Sequence, residues 1–132
     1  MIIDTSAIAA IFFNEPDRRR FAEAMDRADR VRMSAVNFVE LSIVIENQIS
    51  AEALLKCDLF LQRAEVAIVS VTAEQANIAR DAFRRFGKGR HPAALNFGDC
   101  FAYALAKITG EPLLFKGDDF AKTDIASALP VP

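Results

Sequence analysis

Met1-Ile2-Ile3-Asp4-Thr5-Ser6-Ala7 sets a carboxylate where a short apolar strand should run straight into a helix. Ile2 and Ile3 read as buried strand, Thr5 or Ser6 as the helix N-cap, and Ala7 to Phe13 as the first helical turns. Asp4 therefore falls at the carboxyl end of a strand, where open α/β sheets carry their active sites. An Asp in that place can also do no more than cap the helix. The functional reading gains from further acids in similarly apolar surroundings: Glu40, Asp99, and Asp118 with Asp119.

Outward from this stretch, strands and helices alternate without a linker or a repeat. Glu15-Pro16 ends the first helix, and Asp17 to Ala28 is a charged amphipathic helix with Phe21, Ala24 and Met25 inward. Val31-Arg32-Met33 is a short strand, and Ser34 caps a helix from Ala35 to about Gln48. Ser50 caps another helix, which runs to about Glu65. Val66 to Val71 is the clearest strand of the chain, β-branched and ending at Thr72. Thr72 with Gln75 reads as a capping box opening the helix to Phe86, which Gly87 terminates. After the loop Lys88-Gly89-Arg90-His91-Pro92, Asn96 opens a helix to about Thr109, closed by Gly110. Pro112 to Phe115 is a last buried strand. Short apolar strands separated by helices predict a mainly parallel sheet covered on both faces, a three-layer α/β/α domain spanning residues 1–132.

Composition narrows the function. A chain of 132 residues, 52% hydrophobic with 11 Phe and no Trp, is globular and suits one domain with a sizeable core. A net charge of −2 gives no global pull toward nucleic acid, so a polyanion would have to be met by a local basic patch or by metal ions. Cys57 and Cys100 lack metal-ligand spacing and read as buried, reduced thiols, as expected in the cytoplasm. A single His argues against a His-based zinc site. No signal peptide and no apolar run of membrane-spanning length is visible.

Each acid also has a plainer explanation. Glu40 sits in Ala35-Val36-Asn37-Phe38-Val39-Glu40-Leu41-Ser42-Ile43, a helix apolar nearly all round and so expected to be buried; a carboxylate there needs a cation, a hydrogen-bond network or a metal. Asn96-Phe97-Gly98-Asp99 resembles a capping box, and Asp99 shares a face with Ala102, Tyr103 and Ala106. Asp118 and Asp119 form a Gly-Asp-Asp turn beyond the last strand. A parallel sheet gathers strand ends and helix starts at one edge, so Asp4, Asp99 and Asp118 or Asp119 should meet there. Carboxylates packed within a few ångströms repel unless protonated or bridged by a cation. Oxygen ligands select Mg²⁺ or Mn²⁺, and such a site suits hydrolysis at phosphorus.

Taken together, Ile2-Ile3-Asp4-Thr5-Ser6, Ser34-Ala35-Val36-Asn37-Phe38-Val39-Glu40-Leu41, the run Leu95 to Ala106, and Leu113-Leu114-Phe115-Lys116-Gly117-Asp118-Asp119-Phe120 resemble, in that order, the PIN-domain ribonucleases, and within them the VapC toxins of bacterial toxin–antitoxin pairs. The resemblance spans essentially the whole chain. It implies an endoribonuclease dependent on Mg²⁺ or Mn²⁺, with Asp4 and Asp99 as main metal ligands and Glu40 in the acidic set. Asp119 fits the family's Asp-Phe ending, while Asp118 lies nearer the strand. Thr5 or Ser6 would contact metal-bound water or substrate, and Asn96 would orient the cluster. Cleavage leaving 5′-phosphate and 3′-hydroxyl ends, a VapB-type antitoxin partner and a homodimer are further expectations of the same resemblance.

RNA must still approach a negatively charged cluster. Arg80, Arg84, Arg85, Lys88, Arg90 and His91 form a basic stretch leading to the Asp99 helix, and Arg84, Arg85, Lys88, Arg90 and His91 are the candidate phosphate contacts. Arg18-Arg19-Arg20 reads rather as a solvated helix face. Two rival functions are a phosphotransferase of the haloacid dehalogenase type and a catalytically silent PIN-like protein-binding module. The first wants a second acid two residues after Asp4, where Ser6 stands; the second would be marked by a missing acid, and none is missing.

Overall fold

The computed structural model describes residues 1–130. Four short strands, β1 (Ile2–Ile3), β2 (Arg32–Ser34), β3 (Ala67–Val69) and β4 (Leu113–Leu114), form an all-parallel sheet in the order β3-β2-β1-β4. Ile2 stands in register with Arg32 on one side and Leu113 on the other. Among the described residues six α-helices surround the sheet: α1 (Thr5–Phe12), α2 (Arg18–Arg27), α3 (Ala35–Gln48), α4 (Ala51–Arg63), α5 (Ala73–Phe86) and α6 (Phe97–Thr109).

Alternation along the central strands builds the layers. Successive strand residues point to opposite faces, so Ile3 and Leu114 enter a core with Met33 of β2 and with Ile8, Phe21, Leu41, Ile45 and Leu61, contributed by α1 to α4. Their neighbours Ile2 and Leu113 enter a second core with Ala79, Leu105, Tyr103, Phe115 and Phe120, contributed mainly by α5 and α6. All four strand residues are at most 1% exposed, as expected of a sheet covered on both faces. The three-layer α/β/α expectation holds.

Local signals behave as their chemistry dictates, with four corrections. Asp4, rather than Thr5 or Ser6, is the N-cap of α1; its extended backbone and short carboxylate suit the position, and Thr5 is already helical. The strand expected over Val66 to Val71 is only three residues long and half exposed. It pairs with β2 alone at the sheet edge, so Ile68 is left 41% exposed, and Val66 and Val69 only partly cover the two cores. Only half of the capping box at Thr72 forms: Thr72 accepts from the Gln75 N–H at 3.1 Å, while the Gln75 amide turns to the Ser70 carbonyl. Finally, α3 is not buried all round. Asn37, Leu41 and Ile45 face the core, whereas Val39 and Ile43 are each 55% exposed, and Glu40 lies at the boundary between the two faces. Gly110 ends α6 in the left-handed conformation at φ 71°, the usual helix C-terminal use of glycine. Among the described residues no helix is long and apolar enough to cross a membrane, and both cysteines are buried and free.

These placements separate two strands that look alike in sequence. Leu114→Ala should destabilise the protein by about 2–5 kcal/mol, since it empties a core site. Ile68→Ala, on the edge strand, should cost under about 1 kcal/mol. Urea denaturation of the two variants checks this, and equal losses would contradict the assignment of β3 to an exposed edge.

Candidate active site

Parallel strands place their carboxyl ends on one edge, and the chain puts an acid or a helix start at each of the two central exits. Asp4 leaves β1 with its backbone N–H on the Leu114 carbonyl at 2.9 Å. Only 2% of Asp4 is exposed. Its Oδ2 accepts from the Ser6 N–H at 3.0 Å, the capping bond of α1. Its Oδ1 is buried without a hydrogen-bond partner among the described residues, which leaves an acceptor unused. Capping and a chemical role therefore divide between the two oxygens of one carboxylate.

Glu40 comes from α3. Its Oε1 accepts from the Thr5 hydroxyl at 2.5 Å, and the same hydroxyl lies 3.1 Å from the Asn37 carbonyl. Gly98 makes the approach possible. A Cβ at that position would lie 2.1 Å from Glu40 Oε2, so a side chain there would displace the carboxylate. Asp99 is fixed by a complete capping box: its backbone N–H donates to Asn96 Oδ1 at 2.9 Å, and its Oδ2 accepts from the Asn96 N–H at 2.9 Å. Ser6 reaches the other way, accepting the Lys116 backbone N–H at 2.9 Å and so tying α1 to the segment after β4.

Electrostatics show that the acids share one neighbourhood. Burial pushes the Asp4 carboxyl up to about 6, against the hydrogen bonds from Ser6 and with a further push from the charge of Glu40. Asp99 rises to about 7, again chiefly by burial, with the Asn96 N–H opposing and the charges of Asp4, Glu40 and Asp119 adding. The two candidates for the fourth acid part company here. Both side chains are exposed; the charge of Asp119 is felt at Asp99, whereas Asp118 lies 3.7 Å from Lys122. Among the described residues no three Asp, Glu, His or Cys side chains close into a ready-made metal cage. The cluster is loose: the charges couple, but the oxygens do not converge. Its donor set is all oxygen, and with the unpartnered Asp4 Oδ1 it fits a hard divalent cation such as Mg²⁺ or Mn²⁺.

The basic candidates divide as well. Arg84, Arg85, Lys88 and Arg90 are all exposed. Arg85 stands over the Phe86 ring at 4.7 Å and within 3.9 Å of Asp124, and Arg90 lies 5.7 Å from the Phe83 ring. Arg84 and Lys88 make no ion pair among the described residues. His91 is built into the turn: its Nδ1 accepts the Ala93 N–H at 3.0 Å and its ring meets Phe86 edge to face. Arg18 and Arg20 are exposed and donate to the carbonyls of Glu15 and Pro130.

Two residues at the site escape a reading of the sequence by its acids alone, Asn37 and Gly98. The available signal was an amide on the apolar helix, three residues before Glu40, and a glycine just inside a capping box.

The raised carboxyls make stability depend on pH. An Asp ordinarily titrates at 3.8, so between about pH 4 and 7 the folded chain holds protons that the unfolded chain has lost. Without divalent cations, stability should therefore fall as pH rises through that window. Asn caps a helix as well as Asp does, so Asp4→Asn should stabilise the protein by about 1–3 kcal/mol near pH 8 in EDTA, a gain that vanishes below about pH 4. Urea denaturation at the two pH values measures this; an identical pH dependence in both proteins would contradict the raised carboxyl.

A family model described as a PIN domain matches residues 1–126. The chain is 53% identical over 132 residues to Ribonuclease VapC30 of Mycobacterium tuberculosis, covering 98% of this chain and all of that one. It is 53% identical over 131 residues to Ribonuclease VapC of Mycolicibacterium smegmatis, covering 96% and 98%. In fold it matches the crystal structure of Mycobacterium tuberculosis VapC20, described as a sarcin-ricin loop cleaving toxin, with a TM-score of 0.80 at 17% identity over 98% of each chain. A toxin–antitoxin complex from Klebsiella pneumoniae gives 0.73 at 14% identity, again over 98% of each chain. A near full-length family match and relatives above half identity agree with the strand order and the gathered acids: the chain belongs to the PIN-domain family.

Proposed function

We propose that this chain is the ribonuclease toxin of a VapBC-type toxin–antitoxin pair, hydrolysing RNA phosphodiester bonds with Mg²⁺ or Mn²⁺ held at the acidic edge. The observation that carries the reading is the gathering of Asp4 at the β1 exit with Glu40 of α3, which packs on Gly98 and Thr5, and Asp99 in the first turn of α6, in a chain 53% identical to VapC ribonucleases. Asp4 and Asp99 would hold the cation. Each commits Oδ2 to a backbone N–H at a helix start, and the unpartnered Asp4 Oδ1 would face the ligand. Glu40, steadied by Thr5, and Asp119 would complete the shell or take the proton of the attacking water. A divalent cation bound there supplies an activated water and neutralises charge developing on the phosphate oxygens. This chain's own contribution is a braced frame: two capped helix starts, the Ser6 tie to the β4 exit, and Gly98 admitting Glu40. Attack of that kind leaves 5′-phosphate and 3′-hydroxyl ends.

RNA would approach over Arg84 and Lys88, which are exposed and unpaired with acids, while His91 serves the turn. A VapB-type antitoxin would pair basic side chains with the acidic edge, where Arg forks match carboxylates and compete with the cation. The proposed homodimer and the antitoxin both need apolar surface, and Val39, Ile43 and Phe97 offer it beside Glu40, in an open cleft of about 590 Å³. The cytoplasm, where such RNA resides, is the proposed location.

The test is cleavage of a defined RNA pool by antitoxin-free protein. Cutting should require Mg²⁺ or Mn²⁺, stop with EDTA, and fall about a hundredfold or more in Asp4→Asn and in Asp99→Asn. Folded protein that cuts no RNA and binds no cation would instead favour the silent binding module. Arg84→Ala and Lys88→Ala should each weaken RNA binding and lower the slope of log affinity against log salt by about 1, without changing which sequence is cut. An unchanged salt slope would remove these side chains from the RNA path.

A further inference from the structure

Asn37 is fully buried on α3, one helical turn before Glu40. Its Nδ2 donates to the Gly98 carbonyl at 2.9 Å and lies 3.4 Å from Glu40 Oε1. The Asn37 backbone carbonyl accepts from the Thr5 hydroxyl at 3.1 Å, and that hydroxyl also reaches Glu40. The side chain thus joins α3 to the start of α6, while the Asn37 backbone carbonyl and Glu40 both take the Thr5 hydroxyl at the start of α1. The Asn37 Oδ1 is buried and has no partner. Flipping the amide would not help, because the oxygen would then face the Gly98 carbonyl. A buried amide with half its capacity unmet is a cost to the fold, and an apolar side chain of similar size would avoid it. What the amide supplies is a fixed distance between α3 and α6 at the level where Glu40 passes the bare Cα of Gly98.

We infer that Asn37 is a positioning residue: by clamping α3 to the Gly98 carbonyl it sets the spacing of Glu40 from Asp99 and so the affinity of the acidic edge for its divalent cation. The inference rests on the proposed cation-dependent function and adds a residue to it. Asn37 touches neither the reacting atoms nor the cation; it acts through Glu40 and α6. Outer partners of this kind typically change metal affinity 10- to 100-fold when removed.

The experiment is Mn²⁺ titration, followed by electron paramagnetic resonance, of the wild type, Asn37→Ala and Asn37→Leu, beside Ile45→Val. That control removes a buried methylene from the same helix away from the site. Expected is an affinity about tenfold or more weaker in both Asn37 variants and unchanged in Ile45→Val, with RNA cleavage losing kcat while KM stays within about twofold. Wild-type affinity in the folded Asn37 variants would overturn the positioning role and leave the functional reading standing. A wild type that binds no Mn²⁺ would overturn the functional reading, and this inference with it. Should the variants not fold, the Asn37 side-chain amide of the wild type is followed by NMR during Mg²⁺ addition. A shift in step with the Glu40 and Asp99 backbone amides supports the clamp, and an unmoved amide overturns it.

Discussion

Carboxylates gathered at one sheet edge repel one another, and the protein is arranged so that they stay there. Asp4 is the extreme case, a carboxyl 2% exposed at the end of a strand with paired neighbours on both sides. Leaving one oxygen buried and unpartnered is costly by itself. The surrounding structure limits the cost with backbone N–H groups: Ser6 holds one Asp4 oxygen and Asn96 holds one Asp99 oxygen, each at the positive end of a helix. What remains is displayed as raised proton affinity, about 6 at Asp4 and about 7 at Asp99. A divalent cation would relieve the same repulsion that protons relieve.

Much of the fold can be understood as support for that edge. Ile2 and Ile3 anchor opposite cores, so β1 cannot shift without opening both. The Ser6 hydroxyl accepts the Lys116 N–H, and the Lys116 side chain bridges to Glu15 and Asp17, binding the exits of β1 and β4 to the turn between α1 and α2. Tyr103 donates to Asp124, which also meets Lys107, so the C-terminal segment is fastened to the back of the helix whose first turn holds Asp99.

The parts of this arrangement that were legible in sequence are those governed by local chemistry. Ile-Ile-Asp at a strand exit, Ser34 and Ser50 as caps, and Asn96 with Asp99 as a capping box are short-range patterns, and they form as read. The parallel α/β/α layers follow from the alternation of short strands and helices, and the family from four motifs standing in the expected order. What was not legible depends on neighbours far along the chain. Val66 to Val71 has the composition of a core strand, but its position at the sheet edge follows from strand order. The α3 sequence is apolar on several faces, and only packing decides that Val39 and Ile43 stay outside. Asp118 and Asp119 look equivalent in a Gly-Asp-Asp turn, and only the folded turn after β4 sets Asp118 beside Lys122 while the charge of Asp119 is felt at Asp99. Gly98 is meaningful only because Glu40, fifty-eight positions earlier, occupies the space a side chain would fill.

The central claim is that this edge is a cation site assembled from Asp4, Glu40 and Asp99. The most direct measurement is a crystal structure grown with Mn²⁺, with the ion located by its anomalous scattering. The account predicts an anomalous peak about 2–2.3 Å from Asp4 Oδ1 and from an Asp99 oxygen, with Glu40 or Asp119 reaching it directly or through water. A Mn²⁺-soaked crystal with no peak at this edge, or with its peak elsewhere while Asp4 Oδ1 stays unpartnered, would contradict it.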